Sequence, residues 1–379
     1  MTSCKTSFTV VNIQNSEPES EGIIYSLPKT KINISIEVTE IHKQKGPFAE
    51  FTNLYFNSKN AVIKNETEYQ ITNISVKELS FPDANHIYSI NTGKYAAINM
   101  VNLSPEGFPV GINLSDYQAE KVEIEQNVIS ESYQKNNQLN YGDFSLKPIR
   151  ETQYDTLYKV VIRDSVLVKI PVITKKNVYK SNKKQAKEIA DILFLLRDDR
   201  NALLKGENDG DNFPDGEALE IMLEELNKLE KQYISMFTGR EVKIKKTFEY
   251  EIIPENKDLE FDITRFSKKH GTTKDTLHKV VTLKLCPNES ADNIQNYTEY
   301  FINEFKSINK PYKGFIYRIP AEISAEIIFD NNILYKKNIK ISQFGSVNLL
   351  PAKIFNENIS IEFYPQYGSL KRISKIVSE

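Results

Sequence analysis

A few residues of this chain have types and spacings that suggest chemistry. Glu207, Asp209, Asp211 and Asp215 place four carboxylates within one short stretch, a density that suits calcium, which takes several carboxylate oxygens at one site. The spacing is not that of an EF-hand. Counted from Glu207, the sixth position is Asn212 where Gly is required, and the twelfth is Ala218 where a bidentate Glu belongs. The competing reading is an interhelical turn whose acids favour the positive N-terminus of the next helix.

Lys175, Lys176, Lys183 and Lys184 form one basic cluster, and Lys243, Lys245 and Lys246 a second. If the intervening segment folds back on itself, the two clusters meet as one positive patch fit for an anionic glycan, a lipid headgroup or an acidic partner. Charge runs are more often solvated linkers.

Other catalytic classes lack their parts. No Gly-x-Ser-x-Gly is present for a nucleophile elbow, and Ser181-x-x-Lys184 and Ser307-x-x-Lys310 have no accompanying Lys-Thr-Gly. There is no His-Glu-x-x-His, no Gly-x-Gly-x-x-Gly and no phosphate-cradling Gly-x-x-x-x-Gly-Lys, so no cofactor is expected. His42, His86, His270 and His278 have no metal-ligand partner at i+2 to i+4, and each reads as a satisfied surface histidine. Cys286 precedes Pro287 at the end of an apolar run, where an inert thiol is expected. A hydrolase working through two carboxylates stays open as the enzymatic alternative, because 51 acidic side chains offer many pairings.

The opening Met1-Thr2-Ser3-Cys4 puts small residues before a cysteine, the look of a bacterial lipoprotein cleavage site without its apolar segment. If the start lies inside a longer signal peptide, Cys4 is the lipidated first residue of the mature chain. Lys5 to Gly22, polar and acidic, then suits a tether. The alternative is an ordinary thiol near a frayed terminus, and with it a cytoplasmic scaffold.

The 379 residues exceed what one core usually serves, and 40% hydrophobic content with twenty Tyr and twenty Phe can fill a sizeable interior. A formal charge of -2 gives no field for drawing in nucleic acid, and two cysteines support neither a disulfide framework nor a zinc cluster. No apolar run is long enough to cross a bilayer.

The elements that must position these residues follow from periodicity. Ile32, Ile34, Ile36 and Val38 alternate with polar residues as a half-buried strand. Gly46-Pro47 breaks it, and Phe48, Phe51 and Leu54 predict a short helix. Short strands then follow up to Leu114, separated by Pro82, Gly93 and Pro105 to Gly107, and Leu157 to Ile173 is β-forming around an Asp164-Ser165 turn. Ser181 or Asn182 caps a helix with Ala186, Ile189, Ala190, Leu193, Leu196, Leu203 and Leu204 on its apolar stripe, and Gly206 ends it. A second helix runs from Gly216 with Leu219, Met222, Leu223, Leu226, Leu229, Tyr233 and Phe237 inward, stopping at Thr238-Gly239. β character returns from Glu241, with turns at Asp330 to Asn332 and Pro365 to Gly368, and one more helix is predicted over Asn293 to Ile308.

Mainly β with one α-helical hairpin is therefore the expected class: two antiparallel, sandwich-like lobes at 22–174 and 240–379, an antiparallel hairpin at 175–239 between them, and a tether at 1–21. Tyr25-Ser26-Leu27-Pro28-Lys29-Thr30, Gly46-Pro47-Phe48-Ala49, Asn212-Phe213-Pro214-Asp215-Gly216, Tyr317-Arg318-Ile319-Pro320 and Gln343-Phe344-Gly345 occur in an order that resembles an exported Bacteroidetes family catalogued as domain of unknown function 4831. The resemblance implies export and brings no catalytic residues. The expected role is a non-enzymatic binding or assembly module of the cell envelope, lipid-anchored or periplasmic. Its expected partner is a protein or glycan there, with the membrane reached only through the lipid anchor.

Overall fold

In a computed structural model the chain is described at residues 8–13, 22–56, 58, 61–92, 98, 100–114, 149–164, 166–206, 216–255, 259–287, 312–357 and 359–376. The elements are β1 Phe8–Asn12, β2 Ile23–Gln44, α1 Thr52–Tyr55, β3 Glu66–Thr92, β4 Val101–Leu103, β5 Pro109–Ile112, β6 Arg150–Arg163, β7 Val166–Tyr179, α2 Asn182–Lys205 and α3 Gly216–Thr238. They continue with β8 Arg240–Ile252, β9 Glu260–Ser267, β10 Gly271–Thr273, β11 Lys279–Pro287, β12 Gly314–Phe329, β13 Asn332–Pro351, β14 Ile359–Tyr364 and β15 Ser369–Lys375. The protein is mainly β, and the observed strand ladders are antiparallel. The helix predicted over Asn293 to Ile308 lies outside the described residues.

Contacts divide the chain into two compact units that do not follow chain order. The first takes residues 1–39, 69–131 and 245–379, and the second 40–68 and 132–244.

In the first unit, Ile32, Ile34, Ile36 and Val38 are buried as their alternation requires. They pack with Ile74 and Val76 of β3 against Val281, Leu283 and Leu285 of β11 and Ala321 to Ile327 of β12. This sandwich core joins the sheet ordered β1-β3-β2-β8 to the sheet β10-β9-β11-β12-β13. A second core gathers Phe8, Val10, Tyr25, Leu27, Tyr88, Ile90, Phe315 and Phe363, and includes the sheet β15-β14-β5-β4 through Ile112, Ile359 and Ile361.

Two strands are longer than local sequence predicts. Pro82, expected to end a strand, lies inside β3. β1 pairs β3 only at Tyr88 to Thr92, so Pro82 sits beyond that partner, where a missing N–H breaks no rung on that side. The segments Gly314 to Ile319 and Ile323 to Phe329 are one strand, β12, whose register against β13 shifts at Pro320. Gly345 is required opposite: a Cβ there would stand 1.7 Å from the Ile319 carbonyl oxygen. Asp330 and Asn331 take φ of 52° and 62° in the β12–β13 turn, a conformation that Asp and Asn tolerate.

In the second unit, α2 and α3 pack antiparallel, with Arg197 Nε donating to Glu230 at 2.7 Å and Arg200 Nη1 to Asn227 at 3.1 Å. Ser181 is the N-cap of α2, its Oγ accepting from Lys184 N, and Gly206 ends it at φ 71°. Ala186, Ile189, Ala190 and Leu193 bury against Tyr233, Met236 and Phe237. Leu204 and Met222, expected on the inner stripes, are exposed, because the packing concentrates at the end of the hairpin where Phe48 and α1 cover it. That cover accounts for the last carbonyls of α3, which have no helical donor. Phe48 N donates to Met236 O, Thr52 Oγ1 to Phe237 O and Val62 N to Thr238 O. The strands predicted around Asp164-Ser165 form as β6 and β7, but among the described residues they pair only with each other.

Candidate functional site

Three of the sequence motifs converge in the first unit. Arg318 of β12 is 3% exposed, and its guanidinium donates to the Pro28 carbonyl and, at 2.8 Å, to Asp83 Oδ2. Its own N–H donates to Gly368 O at 2.9 Å. Gln343 closes the edge of β2 as a backbone would: Thr30 N donates to its Oε1, and its Nε2 donates to Thr30 O and Pro254 O. Tyr25 lies buried with its ring stacked on Phe315 at 4.7 Å and its hydroxyl exchanging hydrogen bonds with Ile316. Burial, with the neighbouring Tyr88 adding to it, pushes its phenol well above the usual range.

His86 completes this cluster, with Nδ1 2.9 Å from Asp83 Oδ2 and 3.2 Å from Arg318 Nη2. Burial alone would raise the Asp83 carboxyl, but hydrogen bonds from His86 and Arg318 and the Arg318 charge outweigh it and hold the group well below the carboxylate range. An ionised carboxylate only accepts, so His86 carries a hydrogen on Nδ1 and donates it in a hydrogen bond to Asp83 Oδ2. The Arg318 contact to that nitrogen is then not a hydrogen bond. In the neutral ring Nε2 is left as the acceptor, on a side chain 29% exposed. A base oriented by a carboxylate is half of a catalytic pair, yet no nucleophile is placed beside it by the observed contacts. The sequence signal was the Asp83-x-x-His86 spacing, which carries no weight until a strand brings Arg318 against it.

Other carboxyls with displaced acidity, Glu37, Glu66 and Glu151, are also held low by their partners, the opposite of what a general acid needs. Among the described residues no three His, Cys, Asp or Glu gather as a metal site. Cys4 and the acidic residues Glu207, Asp209, Asp211 and Asp215 lie outside the described residues. Cys286 is half-buried on β11, opposite Ser324.

The basic residues are dispersed over several partners. Lys175 and Lys176 stand on β7 opposite Tyr154 and Gln153, and Lys183 and Lys184 open α2, where Lys184 pairs with Glu151. Lys243 lies on β8 in the second unit. Lys245 and Lys246 fall in the first, with Lys245 Nζ 3.2 Å from Glu37.

The ribbon of β6 and β7 departs furthest from an ordinary surface. Its register pairs Leu157 with Val172, Tyr158 with Pro171, Val161 with Val168 and Ile162 with Leu167. Cross-strand partners share a face, so both faces are apolar. Ile162 is 72% exposed, Leu167 71%, Ile173 68% and Tyr154 67%. A continuous apolar run in sequence reads as a strand buried on both sides, whereas here the flanking layers are absent among the described residues.

No curated protein and no solved structure matches the chain. One family model does, over residues 21–144 and 172–371, passing over the stretch that holds β6 and the distal half of the ribbon. With most of its length inside that match, including the segments that meet at Arg318 and Gln343, the chain belongs to the family described as a domain of unknown function, DUF4831.

Proposed function

We propose that the protein is a non-enzymatic assembly module of the bacterial cell envelope, held to the membrane by a lipid on Cys4, that uses the β6–β7 ribbon to bind a protein. The observation that carries the reading is the ribbon itself. An isolated two-stranded hairpin is marginal in water, and one with apolar residues on both faces gains nothing by remaining solvated. Envelope placement is supported by the small residues before Cys4 and by the polar stretch after it.

A photo-crosslinking amino acid placed at Ile162 or Leu167 in cells should capture a product of discrete mass, while the same group at exposed Lys228 on α3 should not. Ribbon positions that capture nothing would remove the assembly reading.

A further inference from the structure

We propose that the partner of the ribbon is a second copy of this chain, joined through the outer edge of β6 in an antiparallel, two-fold pairing centred on Leu157. The inference rests on the ribbon being an assembly surface and adds which edge is used, what it meets and in which register.

The edge is decided by hydrogen-bond phase. Lys180 N donates to Ile149 O, so Ile149 and the odd-numbered residues of β6 point their backbone groups at β7, and the even-numbered ones point them outward. Pro171 opposite Tyr158 agrees with this phase, because it has no N–H to give inward. It also leaves the outer edge of β7 short of a donor, and Lys169, Lys175 and Lys176 stand on that strand as well, two devices that discourage pairing. β6 has neither. A bilayer would not serve, since hydrocarbon offers no hydrogen bonds to an open strand edge.

The register is decided by charge. An antiparallel pairing that sets Leu157 against Leu157 of the other copy places Asp155 opposite Lys159, and Glu151, which also pairs with Lys184 of its own chain, opposite Arg163. Each pair occurs twice by symmetry, as a two-fold interface demands. Tyr154 then faces Val160 and Thr156 faces Tyr158, aromatic pairings that sheets favour, and these even-numbered pairs are the ones whose backbone groups point outward. Moving the centre by two residues either way leaves one opposite-charge pair, Glu151 with Lys159 or Asp155 with Arg163, and sets Asp155 or Lys159 against its own copy.

The test uses the purified full-length chain. Leu157→Cys should oxidise to a covalent dimer, since residues facing each other in a non-hydrogen-bonded antiparallel pair lie within disulfide reach. Tyr154→Cys, opposite Val160, should not, and the parent chain with its native cysteines gives the blank. By sedimentation, Asp155→Lys should raise the dimer Kd about tenfold, and adding Lys159→Asp should restore it. A monomeric parent chain, Leu157→Cys that forms no dimer above the blank, or a charge exchange that fails to restore association would overturn the pairing. If in-cell crosslinking from Ile162 meanwhile captured a product that is not twice the chain mass, the assembly reading would stand and only the self-pairing would fall.

Discussion

Arg318 is held by partners from three separate segments: the Pro28 carbonyl, the Asp83 carboxylate and, through its own N–H, the Gly368 carbonyl in the turn before β15. Arg318→Met would remove the charge and leave Asp83 buried, which should cost about 3–5 kcal/mol in urea unfolding at neutral pH. The sign of the pH effect follows from the direction of the Asp83 shift. A carboxyl held low in the folded protein adds stability that is complete above the unfolded carboxylate's range, about pH 4, and is lost as the pH falls toward the folded value. The parent protein should therefore weaken on acidification, and Arg318→Met should weaken less steeply over that window. Equal acid slopes, or an unchanged urea midpoint, would show that the pair carries no such load. Little of this cluster is legible in the sequence. Arg318 sits in a recognisable Tyr-Arg-Ile-Pro run, but His86 reads as a surface histidine because Asp83, three residues before it, carries no weight without Arg318, which lies far off along the chain on a strand of another sheet.

At the scale of elements, what is local is legible. Both ends of α2 follow from sequence, since Ser181 and Gly206 act on their own helix. Ser181→Ala should lower stability by about 1 kcal/mol, and replacement by Asp should spare most of that loss; chemical denaturation of the two variants separates capping from packing. An equal loss in both would point to some other contact of the serine. What depends on neighbours is not legible. Pro82 and Pro320 look like strand ends, and both lie within strands, one beyond its partner's reach and one at a register shift accommodated by Gly345. The ribbon shows the same limit from the other side. Its apolar run predicts strand correctly, while the layers that would cover it are a property of the surroundings and not of the run.

For the whole molecule, the mainly antiparallel β class and the paired helices follow from periodicity, whereas the grouping into compact units does not, because residues 40–68 join the helices across a long sequence gap. The proposed anchor adds a constraint that fold alone does not supply. No helix among the described residues is long and apolar enough to cross a membrane, and the anchor proposed above is the lipid on Cys4. A single acyl chain binds a membrane only marginally, and stable anchoring takes further chains or a second signal. Self-paired chains would bring two anchors to one assembly, and the second would engage at the high effective concentration set by the first. Protein purified from native membranes should carry acyl mass on a peptide that begins at Cys4, and Cys4→Ser should move the chain to the soluble fraction. Asp155→Lys should leave the acyl mass in place while making the chain easier to extract, since it weakens pairing without touching the lipid. A mature N-terminus that retains Met1 or Thr2 with an unmodified Cys4 thiol would sink the anchor and leave the ribbon as an assembly device for another compartment.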